Sequence, residues 1–140
     1  MISQELHGHC LCGAVAYEIE PPITSAAHCH CESCRRAGGA AFVSWATIAA
    51  ASLRVTSGAD RIVAYPSSPG ARRSFCGTCG SQLFMHYDAE PAWAYVTLAS
   101  LASPPDRAPD RHYSFEERVA WFPFHDALSK VRGKSREPME

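Results

Sequence analysis

Seven cysteines fall into three tight groups along the chain: Cys10 and Cys12, then Cys29, Cys31 and Cys34, then Cys76 and Cys79. An odd count rules out complete pairing into disulfides within one chain. Thiols that merely filled a core would scatter with the hydrophobic pattern. These crowd into short segments that aim several sulfurs at one point, which is the spacing of metal ligands.

The knuckle CGTCG at 76–80 places Gly77 between two cysteines and Gly80 after them, so the backbone amides can turn toward the sulfurs. A redox Cys-x-x-Cys belongs to a βαβ context, and none surrounds it. In HCLCG at 9–13, Cys10 and Cys12 lie two apart on one side of an extended chain, with Gly13 free to bend it. Together these two pairs make a closed four-thiolate zinc shell, a structural site.

Cys29, Cys31 and Cys34 remain, in HCHCESCRRAGG at 28–39. With Glu32–Ala37 helical, Cys31 and Cys34 stand on neighbouring turns of one face, and Cys29 approaches from the preceding strand. Three protein ligands with an open fourth position are the arrangement of a catalytic zinc. Two other arrangements stay open on spacing: a ribbon site of Cys31, Cys34, Cys76 and Cys79, or a triad closed by His28, His30 or His86.

An open three-thiolate zinc is soft and weakly Lewis-acidic, better suited to an incoming thiol than to making hydroxide. A thiol bound there loses its proton and becomes an orientated nucleophile. Arg35 and Arg36 follow the triad and are candidates, with His30, for holding the substrate, for instance through a carboxylate on the thiol. Arg72 and Arg73 stand similarly before the knuckle. His30 and His86 are candidate proton carriers, and Phe42, Trp45 and Tyr87 candidate pocket walls.

The remainder of the chain reads as one domain over residues 1–130 and a solvated tail at 131–140. The formal net charge of −1 excludes the strongly basic field of a dedicated nucleic-acid binder. MISQELHGHC lacks the features of a signal peptide, and the longest apolar stretch, near Trp45–Leu53, falls far short of the about 20 residues that span a bilayer. A cytoplasmic protein with reduced thiols and no membrane partner is expected. Short alternating runs predict strands over GAVAYEIE (13–20) and at 41–48, 52–56, 60–65, 81–87 and 93–100. The spacing predicts one helical turn at Glu32–Ala37, stopped by Gly38-Gly39, and a helix at Ser114–Trp121 begun by a capping box of Ser114 and Glu117. The class is all-β, mainly antiparallel, with the cysteines in the connections.

These pieces resemble the glutathione-dependent formaldehyde-activating (GFA) family, which also includes centromere protein V. The resemblance runs through GHCLCGAVAYEI at 8–19, HCHCESCRRAGGAAF at 28–42 and SSPGARRSFCGTCGSQLF at 67–84, then SLASP at 100–104 and His112, Trp121 and Asp126. It implies an Mss4-like β-tent with two zinc ions: a structural one at Cys10, Cys12, Cys76 and Cys79, and an active-site one at Cys29, Cys31 and Cys34. The implied reaction is that of a carbon–sulfur lyase, joining glutathione and formaldehyde into S-hydroxymethylglutathione or reversing that step. The chain looks shorter than the glutathione-using enzymes, chiefly at the ends and in loops, and loops are where a tripeptide would be gripped, so the resemblance carries the metal chemistry further than the choice of glutathione. The expected partners are a small thiol such as glutathione and a small aldehyde such as formaldehyde. The alternative is a non-catalytic zinc-binding interaction module.

Overall fold

The computed structural model describes residues 4–134 and Met139. Its strands in chain order are β1 (Leu6–His9), β2 (Ala16–Ile19) and β3 (Ser25–Cys29), followed by helix α1 (Glu32–Gly38). Then come β4 (Val43–Ala49), β5 (Leu53–Ser57), β6 (Ile62–Ser68), β7 (Ala71–Cys76), β8 (Gln82–Tyr87), β9 (Trp93–Thr97), β10 (Arg111–Tyr113) and β11 (Ser129–Lys130). They form a three-stranded sheet, β1-β2-β5, and an eight-stranded sheet, β11-β10-β3-β4-β9-β8-β7-β6. The all-β, mainly antiparallel architecture is as expected. Parallel pairing enters at one edge, where β10 runs alongside both β3 and β11.

Alternation along the strands sorts side chains to the two faces of the large sheet. Ala46 and Ile48 of β4, Phe84 of β8, and Ala94 and Val96 of β9 enter the main core with Val15, Tyr17 and Ile19 from the small-sheet side. Their neighbours Trp45, Thr47, Met85, Tyr87 and Tyr95 turn to the opposite face and wall a cavity. Tyr17 is 1% exposed, and its hydroxyl lies 2.5 Å from Ser100 Oγ. Gly8 sits directly opposite it in the β1–β2 register, where the ring occupies the space a Cβ would need. Pro66 lies in β6, the outermost strand of its sheet, where a missing N–H does least harm.

Helix α1 ends as anticipated, with Gly39 in the left-handed conformation at φ 58° and its N–H bonded to the Arg35 carbonyl. The expected helix at Ser114–Trp121 is instead a single tight turn at Phe115–Glu117. Ser114 adopts φ 53° and its side chain makes no capping bond. Glu117 does not reach back to it; its carboxylate accepts the Glu32 N–H of α1 at 3.2 Å. The run at 93–100 likewise divides into β9 and a tight turn at Leu98–Ser100, which Ser100 closes by donating to the Thr97 carbonyl at 2.8 Å.

Just beyond β11, Val131 and Gly133 stay bonded to the sheet. Val131 is 1% exposed and its N–H donates to the His112 carbonyl at 2.9 Å. Ser114 N–H donates to the Gly133 carbonyl at 2.8 Å. Of the segment read as a tail, residues 135–138 and 140 lie outside the described residues.

Candidate metal centres and active-site cavity

The β1–β2 turn and the β7–β8 turn meet, bringing Cys10 and Cys12 to Cys76 and Cys79. Cys10 Sγ and Cys12 Sγ are 3.6 Å apart, and Cys12 Sγ and Cys76 Sγ 3.9 Å. Sulfurs sharing one tetrahedral zinc at the usual bond length stand about 3.8 Å apart. The spacing therefore fits such an ion. The sulfurs are also solvated by the protein: Val15 N–H donates to Cys10 Sγ at 3.3 Å, and Ser81 Oγ lies 3.1 Å from Cys79 Sγ. The Ser81 bonds pull the Cys79 thiol down to about 5. This cluster links the small sheet to the large one.

Cys29 at the end of β3, Cys31 at the start of α1 and Cys34 within it form the second cluster, their sulfurs all within 4.8 Å of one another. Cys31 Sγ caps the helix by accepting the Cys34 N–H at 3.3 Å. Among the described residues, no histidine, carboxylate or further cysteine joins this group. The donor set suits a soft cation with one coordination position supplied from outside the protein.

Arg73 of β7 stands beside the triad, 6% exposed, with Nη2 donating to Cys34 Sγ at 3.6 Å. Its Nε and Nη1 have no hydrogen-bond partner among the described residues. Hydrogen bonds from Cys29 and Cys31, aided by this guanidinium, hold the Cys34 thiol far below its ordinary value. The Cys29 thiol is pushed up by its bonds to Cys31 and Cys34 and by burial.

All three cysteines open onto a cavity of about 450 Å³. Its walls include Trp45, Tyr87, Tyr95 and Tyr113, with Glu90 and Lys134 as the charged groups among the described residues. Tyr87 and Tyr95 meet edge to face, with centroids 5.5 Å apart, and the Tyr95 hydroxyl donates to Glu90 at 3.0 Å. Burial pushes Tyr87 up to about 12, so it keeps its proton at neutral pH.

Several residues singled out from sequence lie elsewhere. Arg35, Arg36 and His30 are not among the described residues of the cavity wall. Arg36 pairs with Glu32 at 2.9 Å on the exposed side of α1, and Arg35 Nε donates to the His30 carbonyl at 3.2 Å. His30 is wholly buried, on the side of the chain away from Cys29 and Cys31, since adjacent residues point to opposite faces. It packs with Phe42, Phe115 and Phe124. Phe42 belongs to that aromatic cluster, while Trp45 and Tyr87 do line the cavity. His86 alternates with Met85 and Tyr87 and faces away from it.

Tyr95, Glu90, Tyr113 and Lys134 were not read from sequence. Tyr95 was findable: WAYVT is a strand, and once Thr47 is known to face the cavity, its cross-strand partner Tyr95 does too. Lys134 carries no local signal at all.

The fold and the two clusters define a β-protein with one closed cysteine centre and one that faces a cavity. The chain belongs to the family described as glutathione-dependent formaldehyde-activating enzyme, whose profile matches residues 5–117. It is 35% identical over 139 residues to an uncharacterized lyase of Schizosaccharomyces pombe, covering 91% of this chain and 97% of that one. A Halomonas elongata protein, provisionally named glutathione-dependent formaldehyde-activating enzyme, is 28% identical over 83% of this chain and 78% of its own. A crystal structure of a Rhodobacter sphaeroides protein superposes with a TM-score of 0.60 at 33% identity, over 72% of this chain and 92% of that one. No helix among the described residues is long and apolar enough to cross a membrane.

Proposed function

We propose that the chain is a zinc-dependent carbon–sulfur lyase or synthase of the GFA type, joining a small thiol to a small aldehyde or parting them. One observation carries this reading: three thiols converge at the wall of a cavity with no fourth side-chain donor beside them among the described residues, while the other cluster has its four. Cys10, Cys12, Cys76 and Cys79 would hold a structural zinc, and Cys29, Cys31 and Cys34 the active one. Zinc at the triad would supply a Lewis acid that draws the proton from a coordinating thiol at neutral pH.

The protein's own part is binding and proton placement. In the forward direction the substrate's S–H bond breaks and its proton leaves to solvent, a sulfur–carbon bond forms at the aldehyde carbon, the carbonyl π pair moves onto oxygen, and that oxygen takes up one proton from solvent to become the product hydroxyl. Tyr87 retains its hydroxyl proton and is the donor offered to that oxygen. Trp45 and Met85 pack with Cys29 and Cys34 and make the wall beside the triad apolar. Arg73 balances the sulfur charge from behind Cys34.

The test is formation of an S-hydroxymethyl adduct from glutathione and from smaller thiols with formaldehyde, followed by NMR on zinc-loaded protein. Acceleration that disappears in Cys31→Ser is the expected result. No acceleration with any thiol, from protein carrying both ions, would leave the interaction-module reading in its place.

A further inference from the structure

The cavity wall holds two charged side chains among the described residues, Glu90 and Lys134. Glu90 already accepts the Tyr95 hydroxyl. Lys134 has no carboxylate partner among the described residues; its ammonium lies 3.9 Å from the Tyr87 ring centroid and 5.4 Å from that of Tyr95. Cation–π contacts hold an ammonium in place through the ring face while its remaining N–H groups stay free to donate.

The lysine is brought there by backbone anchors. Val131 is buried against β10, Ser114 N–H binds the Gly133 carbonyl, and Gly133 N–H is gripped by the Glu116 carboxylate at 2.9 and 3.1 Å. The residue after Gly133 is thereby set at the cavity that also contains the triad.

We propose that Lys134 is the specificity-determining residue for the thiol substrate, binding a carboxylate at the end remote from sulfur. The assignment rests on the triad being the thiol site. It selects a class: small thiols that bear a carboxylate, over neutral or cationic thiols of the same length. A compact ammonium suits a single carboxylate oxygen, and Lys134, although exposed, is held at the cavity by its contacts with the Tyr87 and Tyr95 rings.

Mercaptopropionate, mercaptoethanol and mercaptoethylamine share one thiol arm and differ in the charge at its end. Their KM and kcat with formaldehyde are measured on the zinc-loaded full chain. Their affinities are read separately from the visible absorption of cobalt-substituted protein. The wild type should favour mercaptopropionate over mercaptoethanol by about tenfold in kcat/KM, through KM. Lys134→Gln should bring that ratio close to one, Lys134→Arg should keep most of it, and Lys134→Glu should reverse the order in favour of mercaptoethylamine.

Equal treatment of the three thiols by the wild type would overturn the assignment. So would a Lys134→Gln variant that weakens all three alike, which would make the lysine a prop for the Tyr87 wall. A wild-type preference for mercaptoethylamine would place selectivity with Glu90 and the rings. If no thiol perturbs the cobalt spectrum, the thiol-site reading fails first and this assignment with it.

Discussion

His30 Nε2 lies 2.7 Å from His112 Nδ1, and His112 Nε2 lies 2.9 Å from a carboxylate oxygen of Asp126. The carboxylate marks His112 Nε2 as the protonated nitrogen, so in the neutral pair His112 Nδ1 accepts from His30 Nε2–H. The chain of bonds joins residue 126 to the loop between Cys29 and Cys31. Burial depresses His30 to about 4, which leaves it uncharged at neutral pH. Asp126→Asn should weaken the whole relay, lowering stability by about 1 kcal/mol and the melting temperature by a few degrees. Calorimetry of the zinc-loaded protein checks it.

Asp126 also sets an acid dependence. Lys130 Nζ, 2.8 Å away, and then His112 hold its carboxyl well below the usual range. A folded-state value below the unfolded one means the unfolded chain takes up the proton first, so the contribution is complete above about 3.9 and is lost as pH falls below it. Denaturant titrations between neutral and strongly acidic pH should show a shallower acid limb for Asp126→Asn than for the wild type.

The two cysteine clusters should respond differently to the same substitution. On the proposed assignment of a structural zinc to Cys10, Cys12, Cys76 and Cys79, Cys76→Ser would remove a ligand from the site that ties the two sheets, so most of the chain's secondary structure should melt cooperatively at a much lower temperature. Cys31→Ser should keep the fold and lose one of two zinc ions, because serine still caps α1 while no longer offering a thiolate. Circular dichroism with elemental analysis separates the outcomes.

Arg73 places a buried positive charge against Cys34. Arg73→Met should lower the affinity of the triad for zinc by about tenfold and leave the four-cysteine site unchanged, since the guanidinium offsets the thiolate charge. Competition with a chromophoric chelator, resolving two sites, measures this.

At the core, Gly8→Ala should cost about 2 kcal/mol, the new methyl meeting the Tyr17 ring in a packed interior. Tyr17→Phe should cost about 1 kcal/mol through the lost bond to Ser100. Equilibrium unfolding in urea reads both.

Local chemistry made some of this legible beforehand. Helix α1 and its glycine stop, and strands such as β2, β4 and β8, stand where periodicity put them. β3 was expected as the strand leading to Cys29 but without bounds, because SAAHC has little strand propensity; its extent depends on pairing with β4 and β10. β10 and β11 are too short to carry a periodic signal and exist through parallel partners remote in the chain. The Ser114 capping box matched in sequence, but Glu117 found a better donor on α1.

The division has a physical basis. Cysteine spacing confines where sulfurs can converge, because a few intervening residues leave little room for them to part, and so the sequence by itself determined which segments carry the metal-binding character. What surrounds the triad was decided by tertiary structure alone. Arg35, Arg36 and His30 are its neighbours along the chain but point elsewhere, through helix rotation and strand alternation. Arg73 is distant in sequence and meets Cys34 from β7, while Tyr95 and Lys134 come to the cavity beside the triad through cross-strand register and a terminal segment pinned by Glu116 and Val131.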